Sequence, residues 1–168
     1  DDRCNKKTDI LRINKIFKYF EYLLGQKNLD FSNYKLGAVS NELKETVEEF
    51  EENDLVTNDR GQFELTDEGE QAKEEVLEKL DKQEVKKLEF SKKLLNDLSG
   101  DELLFFMYMV FPDTQEFYTQ IERLLKKKKQ LVESLYHKEK ITAATAAKWL
   151  GISEESFLED KKIHLSAW

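Results

Sequence analysis

The chain has 168 residues, enough for one ordinary core or two small ones. One proline, six glycines and 37% charged residues describe a mostly helical chain, and the net charge of −8 argues against non-specific nucleic-acid binding by the molecule as a whole. Cys4 is the single cysteine, which excludes an intrachain disulfide and fits a reducing compartment; the longest apolar run, Leu103–Phe111, is nine residues, about half a membrane span, and no signal-peptide pattern opens the chain. A cytoplasmic protein that does not meet a membrane is expected.

Ile10, Ile13, Ile16/Phe17, Phe20 and Leu23/Leu24 recur at helical spacing with Lys and Arg between them, which predicts a helix over 9–25 that stops at Gly25. Residues 27–37 hold aromatics and turn formers and predict a short extended piece. Ser40 is placed to cap a helix over 41–53 with a buried stripe of Leu43, Val47 and Phe50. Alternating residues on both sides of Asn58-Asp59-Arg60-Gly61 predict a β-hairpin, and Thr66 then caps a further helix. Helix, helix, hairpin, helix is the order of a winged-helix-like domain, here over 8–80.

From Ala72 the apolar positions continue as Val76/Leu77, Leu80, Leu88, Leu94/Leu95 and Leu98, close to a 3.5-residue repeat that Glu84 and Ser91 interrupt. One long helix from 67 to about 98 is expected, bent near Asp81, with 81–98 as a connecting segment. So narrow a stripe packs on one partner helix, inside the chain or across a homodimer. Ser99-Gly100-Asp101-Glu102 has the form of a capping box, and the apolar run behind it, hydrophobic all round, predicts the centre of a second core ended by Pro112. Phe117, Ile121, Leu124/Leu125, Leu131/Val132 and Leu135 predict a helix over 114–138.

Residues 141–157, ITAATAAKWLGISEESF, then read as a helix-turn-helix. Ala147 permits close approach, Gly151 takes the left-handed turn, and Ile152 and Phe157 fill the crease. Trp149 is expected in the core, Trp168 is a candidate interface anchor, and the alternation in Lys162–Trp168 suggests a last short strand. The fold class is therefore mostly α with a small β-hairpin wing: a winged-helix-like domain, a long connecting helix, and a helical domain over 99–168.

RINKIFKYFEYLL (12–24) followed by YKLGAVSNELKETVEEFEENDLV (34–56) resembles the Panacea (SocA-like) antitoxin-type domain, through Gly37, Val39, Ser40 and Leu43, with Ala38 where that pattern has proline. YHKEKITAATAAKWLGISEESFLEDKKI is similar to small prokaryotic antitoxin-like proteins. The resemblance implies a toxin–antitoxin-type or transcriptional regulatory protein without catalysis of its own.

The charges separate two candidate surfaces. Helix 41–53 carries Glu42, Glu45, Glu48, Glu49, Glu51 and Glu52 against Lys44, and the hairpin tip offers Arg60 beside Asp59. Such a surface repels phosphates and suits a scaffold or a protein partner. Residues 123–153 carry Arg123 and seven lysines against Glu133 and Glu139. The candidate nucleic-acid contacts are Lys126, Lys127, Lys129, Lys138, Lys140, Lys148 and Ser153. Against them, consecutive helical lysines fan out at about 100° each, and the helix opening Glu154-Glu155 offers few base-reading groups.

His137 and His164 stand 27 positions apart without metal-ligand spacing, and no phosphate-cradling glycine loop or nucleophile elbow occurs, so no enzyme, metal or cofactor is expected. The favoured reading is a non-catalytic antitoxin-like or transcriptional regulatory protein. Its acidic N-terminal domain would meet a protein partner (a toxin or a second subunit), and its C-terminal lysines double-stranded DNA. The alternative is a protein–protein adapter with no nucleic-acid contact. The lysines discriminate between the two: DNA contact needs them gathered on one face and not tied up by acids.

Overall fold

The computed structural model describes residues 8–34, 37–112 and 120–165, and divides into two compact units, Asp1–Leu98 and Ser99–Trp168. The fold is mostly helical with a small antiparallel sheet. Cys4, Phe117 and Trp168 lie outside the described residues.

The first unit begins with β1 (Thr8–Asp9) and α1 (Ile10–Leu24). Asp9 caps the helix by accepting from the Arg12 amide at 2.8 Å, and Gly25 ends it at φ 68°. β2 (Ser32–Tyr34) and β3 (Gly37–Val39) pair antiparallel, and α2 (Asn41–Glu52) follows. β4 (Val56–Asp59) and β5 (Gln62–Leu65) form the wing, and β1 joins β5 to make a three-stranded sheet in the order β1-β5-β4. The two-residue turn Arg60-Gly61 has positive φ at both positions, 54° and 82°, as a tight hairpin with right-handed strand twist requires.

The expected run from 67 to about 98 is two helices, α3 (Asp67–Lys79) and α4 (Lys82–Leu95). Leu80 is extended at ψ 152°, and the Asp81 carboxylate caps α4 by accepting from the Gln83 amide. α4 packs along α1 within the first unit, burying Leu94, Leu95 and Ser91, whose small side chain permits the approach.

α1 departs most from its sequence pattern. Its fully buried residues include Asn14, Lys15 and Glu21 besides Ile16, while the other apolar positions of its stripe are only half-buried. Each polar side chain holds a neighbouring segment. Asn14 accepts from the Ser40 amide at 2.6 Å, Lys15 donates to the Ala38 carbonyl at 2.8 Å, and Glu21 accepts from the amides of Asn28 and Leu29. Arg12 donates to the carbonyls of Leu95, Asn96 and Leu98 at 2.6–2.8 Å, closing the C-terminus of α4. Ser40 occupies the N-cap position of α2, but its hydroxyl makes no capping bond; its amide is drawn to Asn14, and the hydroxyl is buried without a partner among the described residues.

The second unit is built around α5 (Gly100–Val110), opened by a complete Ser99–Glu102 capping box. Leu103 to Met107 are all buried. The expected helix over 114–138 appears, within the described residues, as α6 (Ile121–Lys126) and α7 (Lys128–His137); its expected start at 114–119 lies outside them. At Lys127 the amide shortens to the Leu124 carbonyl, which tightens the chain and breaks the helix. α8 (Ala143–Leu150), Gly151 at φ 73° and α9 (Glu154–Leu165) complete the helix-turn-helix.

Trp149 stands edge-on to both Phe105 and Phe106, with centroids 5.9 Å apart, as expected of a core residue. The crease is filled differently from the expectation. Phe157 is buried and edge-on to Tyr136 at 5.0 Å, whereas Ile152, carried outward on the turn, is 45% exposed. The expected strand over 162–168 is also corrected over 162–165, where α9 continues; its remainder lies outside the described residues.

Two outcomes follow for the first unit. A Cβ at Gly69 would lie 2.0 Å from the Leu55 carbonyl oxygen. Alanine normally gains about 1 kcal/mol over glycine inside a helix, but this clash is with backbone, so Gly69→Ala is expected to lose about 3 kcal/mol, read as a lowered urea midpoint. Burial lowers the Lys15 ammonium from its ordinary 10.5 to about 8, so the cost of burying the charge is fully present below pH 8 and is relieved as pH rises to 10.5. Stability of the first unit should rise by about 3 kcal/mol across that window, and Lys15→Met should flatten the rise in urea titrations.

Candidate functional site

Two places in the molecule combine exposed side chains with organised charge, one in each unit. In the second unit, the sequence-level candidates divide among several surroundings. Arg123 forms a two-bond fork with Asp101, 2.6 and 2.7 Å, and Lys127 approaches the same carboxylate at 3.3 Å. Lys138 reaches Glu102 at 2.8 Å, and Lys129 lies 3.1 Å from Asp160 and 3.9 Å from Glu133. Lys126 and Lys148 are exposed on α6 and α8, and Lys140, half-buried after α7, also has an interaction partner. Ser153 accepts from the Ser156 amide at 3.1 Å and so serves as the cap of α9.

The candidates are therefore not gathered around one anion-binding concavity. Lys127 and Lys138 turn toward the start of α5, and Lys129 turns toward α9. The sequence window 123–153 missed this because the counter-charges come from outside it, from Asp101, Glu102 and Asp160. Acids in the first turn of α5 complement the helix dipole and at the same time serve Arg123 of α6, Lys127 between α6 and α7, and Lys138 just after α7.

Glu102 is the centre of the arrangement. Its carboxylate accepts from the Ser99 amide at 2.7 Å, the Ser134 hydroxyl at 2.5 Å and the Lys138 ammonium at 2.8 Å. Burial acts to raise its pKa, but these bonds, led by Lys138 and Ser134, more than offset burial and hold it at about 2. Asp101 is likewise held low, first by the bonds from Arg123.

In the first unit an open trough of about 430 Å³ lies among α1, α2, the sheet and the two helices after it. Its apolar lining includes Ile13, Ile16, Val47, Phe50, Val56 and Phe63. The register explains part of this. Val56 pairs with Leu65, Asn58 with Phe63, and Thr8 with Phe63, so these side chains share one face of the sheet. At its mouth Phe50 and Leu65 remain 41% and 38% exposed. The sequence placed Phe50 in the stripe of α2 but did not reveal a concavity, because α3 and α4 had been expected to run on as one helix.

The helix that walls one side of the trough, α2, is strongly acidic. Residues 41–59 carry eight carboxylates against Lys44, and the lining lysines Lys73 and Lys92 pair with Glu70 and Glu89 of their own helices. Among the described residues no group of three or more His, Cys, Asp or Glu side chains could hold a metal ion, and no helix is long and apolar enough to cross a membrane.

The Glu102 network makes a direct prediction. The folded carboxyl lies below its ordinary 4.5, so its contribution is present above pH 4.5 and is lost as pH falls toward 2. Acid should therefore cost the second unit up to about 3 kcal/mol over that range. Glu102→Gln should remove most of this dependence and lower stability at pH 7, followed through the tryptophan fluorescence of the Trp168→Phe chain, in which Trp149 is the one tryptophan.

No protein-family model, no curated protein and no solved structure matches this chain.

Proposed function

We propose that this protein is a non-catalytic, cytoplasmic interaction module of the antitoxin-like kind, which binds a protein partner through its acidic first unit and does not grip nucleic acid. The observation that carries the reading is the pairing of Arg123, Lys127, Lys129 and Lys138 with Asp101, Glu102 and Asp160. Affinity for DNA comes chiefly from releasing counterions as free cations neutralise phosphates. A cation already paired within its own unit must give up that carboxylate to neutralise a phosphate, so it gains little, and withdrawing Lys138 would leave Glu102 buried with an unbalanced charge.

The acidic side of the reading rests on α2. Its carboxylates are ill suited to a DNA groove and well suited to a basic protein surface, where opposed potentials speed encounter and exclude wrong partners. The resemblance of residues 12–24 and 34–56 to an antitoxin-type domain supports the same assignment.

The test is titration of a labelled duplex with the full chain over a range of salt. No saturable binding is expected even at low salt. Binding that weakens steeply with added salt, and that Lys126→Ala with Lys148→Ala abolishes, would replace this reading with a DNA-contacting regulator.

A further inference from the structure

We infer that the trough of the first unit is the seat of a basic amphipathic helix supplied by a partner protein, which deepens the reading above and rests on its protein-binding half. Three features identify the occupant. The first is shape. The concavity opens over the face of the β1-β5-β4 sheet, with Thr8, Val56, Phe63 and Leu65 in its lining, and not along an edge. An added strand would need the unpaired backbone of an edge; a face receives side chains, and helices lay apolar residues into such grooves at i, i+3 or i+4, and i+7.

The second is incomplete burial. Val47 and Phe50 point into the trough from α2, yet Phe50 and Leu65 stay over a third exposed at its mouth. α3 continues the apolar surface. Gly69 is pressed against Leu55, and Val76, two turns further along the same face of α3, is 53% exposed, while Leu80, where the helix ends, is 38% exposed.

The third is charge. Beside the trough α2 carries Glu42, Glu45, Glu48, Glu49, Glu51 and Glu52 against Lys44, Glu51 accepting from the Asn58 side-chain amide at 3.2 Å, and the two lining lysines are neutralised by Glu70 and Glu89 of their own helices. The local field therefore selects a positive polar face on the incoming helix and disfavours an acidic one. It also disfavours a second copy of this unit presenting α2 to α2, since both would bring the same carboxylates.

The experiment uses the full chain with labelled methyl groups and three synthetic peptides. One is an amphipathic helix with leucines at helical spacing and a lysine-rich polar face, the second has glutamate in place of lysine, and the third is a scramble of the first. The lysine peptide is expected to shift the methyls of Ile13, Val47, Val56 and Leu65, and to bind about tenfold or more tightly than either control. Phe50→Ser and Leu65→Ser, at the partly exposed mouth, should each weaken it about tenfold while the methyl spectrum of the free chain keeps its dispersion. Phe90→Ser, on the side of α4 away from Leu88 and Lys92, should leave it unchanged.

Equal binding of the glutamate or scrambled peptide, shifts confined to residues outside the trough, or insensitivity to Phe50→Ser would overturn the inference. So would trough shifts that follow protein concentration without peptide, which would make a second copy the occupant. Failure here leaves the duplex titration unaffected, so loss of this site and loss of the protein-binding reading are separately visible.

Discussion

The carbonyl oxygens of Leu95, Asn96 and Leu98 converge on one guanidinium, that of Arg12, and most of the first unit depends on that convergence. A helix C-terminus leaves carbonyls without intrahelical partners and carries partial negative charge. Arg12 meets both needs with a rigid, permanently charged fork. With α4 held in this way, its apolar side covers α1, and Lys15, Asn14 and Glu21 become enclosed where they can hold β3, the start of α2 and the segment after Gly25. The apolar contacts supply the bulk attraction. The polar groups of α1 decide which segment lies where, because misplacing any of them would bury an unmatched donor or acceptor.

This dependence also marks where sequence reading reached its limit. Local signals with a short range were legible: Thr66 and Ser99 as caps, residues 58–61 as a hairpin turn, Gly25 as a helix stop and Gly151 as a left-handed turn. Trp149 was legible because it lies beside apolar Leu150 within a compact helix-turn-helix. Lys15 and Asn14 were not, since a lysine between apolar residues has the same spacing whether it meets water or a carbonyl 23 positions away. The break at Leu80 was weakly marked by Asp81, and without it α3 and α4 would form no walls. The charge of residues 123–153 was counted correctly, but its compensation by Asp101 and Asp160 requires tertiary proximity that no window of sequence contains.

The two units use charge in opposite ways. In the second, opposite charges are brought together: the capping box of α5 takes in Lys138 and Ser134, and Asp101 binds the α6 side, so much of a stretch that looks cationic is neutralised within the unit. In the first, like charges are left facing solvent beside apolar side chains that the unit does not cover. Balanced charge contributes to shape; unbalanced charge next to apolar surface acts on other molecules. The acidic α2, with Phe50 exposed at its end, belongs to the second kind.

The placement of Arg12 has a bearing on how the chain acquires its structure. The guanidinium and the carbonyls it binds are 83 to 86 positions apart, so the bond closes a loop nearly as long as the unit itself. Such long-range closure is slow in folding because chain entropy is spent before the contact forms. During synthesis α1 emerges early with its polar groups unmatched, and it must wait until Leu98 has cleared the ribosome. The first unit can thus close only after its last helix is made, and removing either Arg12 or residues 95–98 severs the same connection.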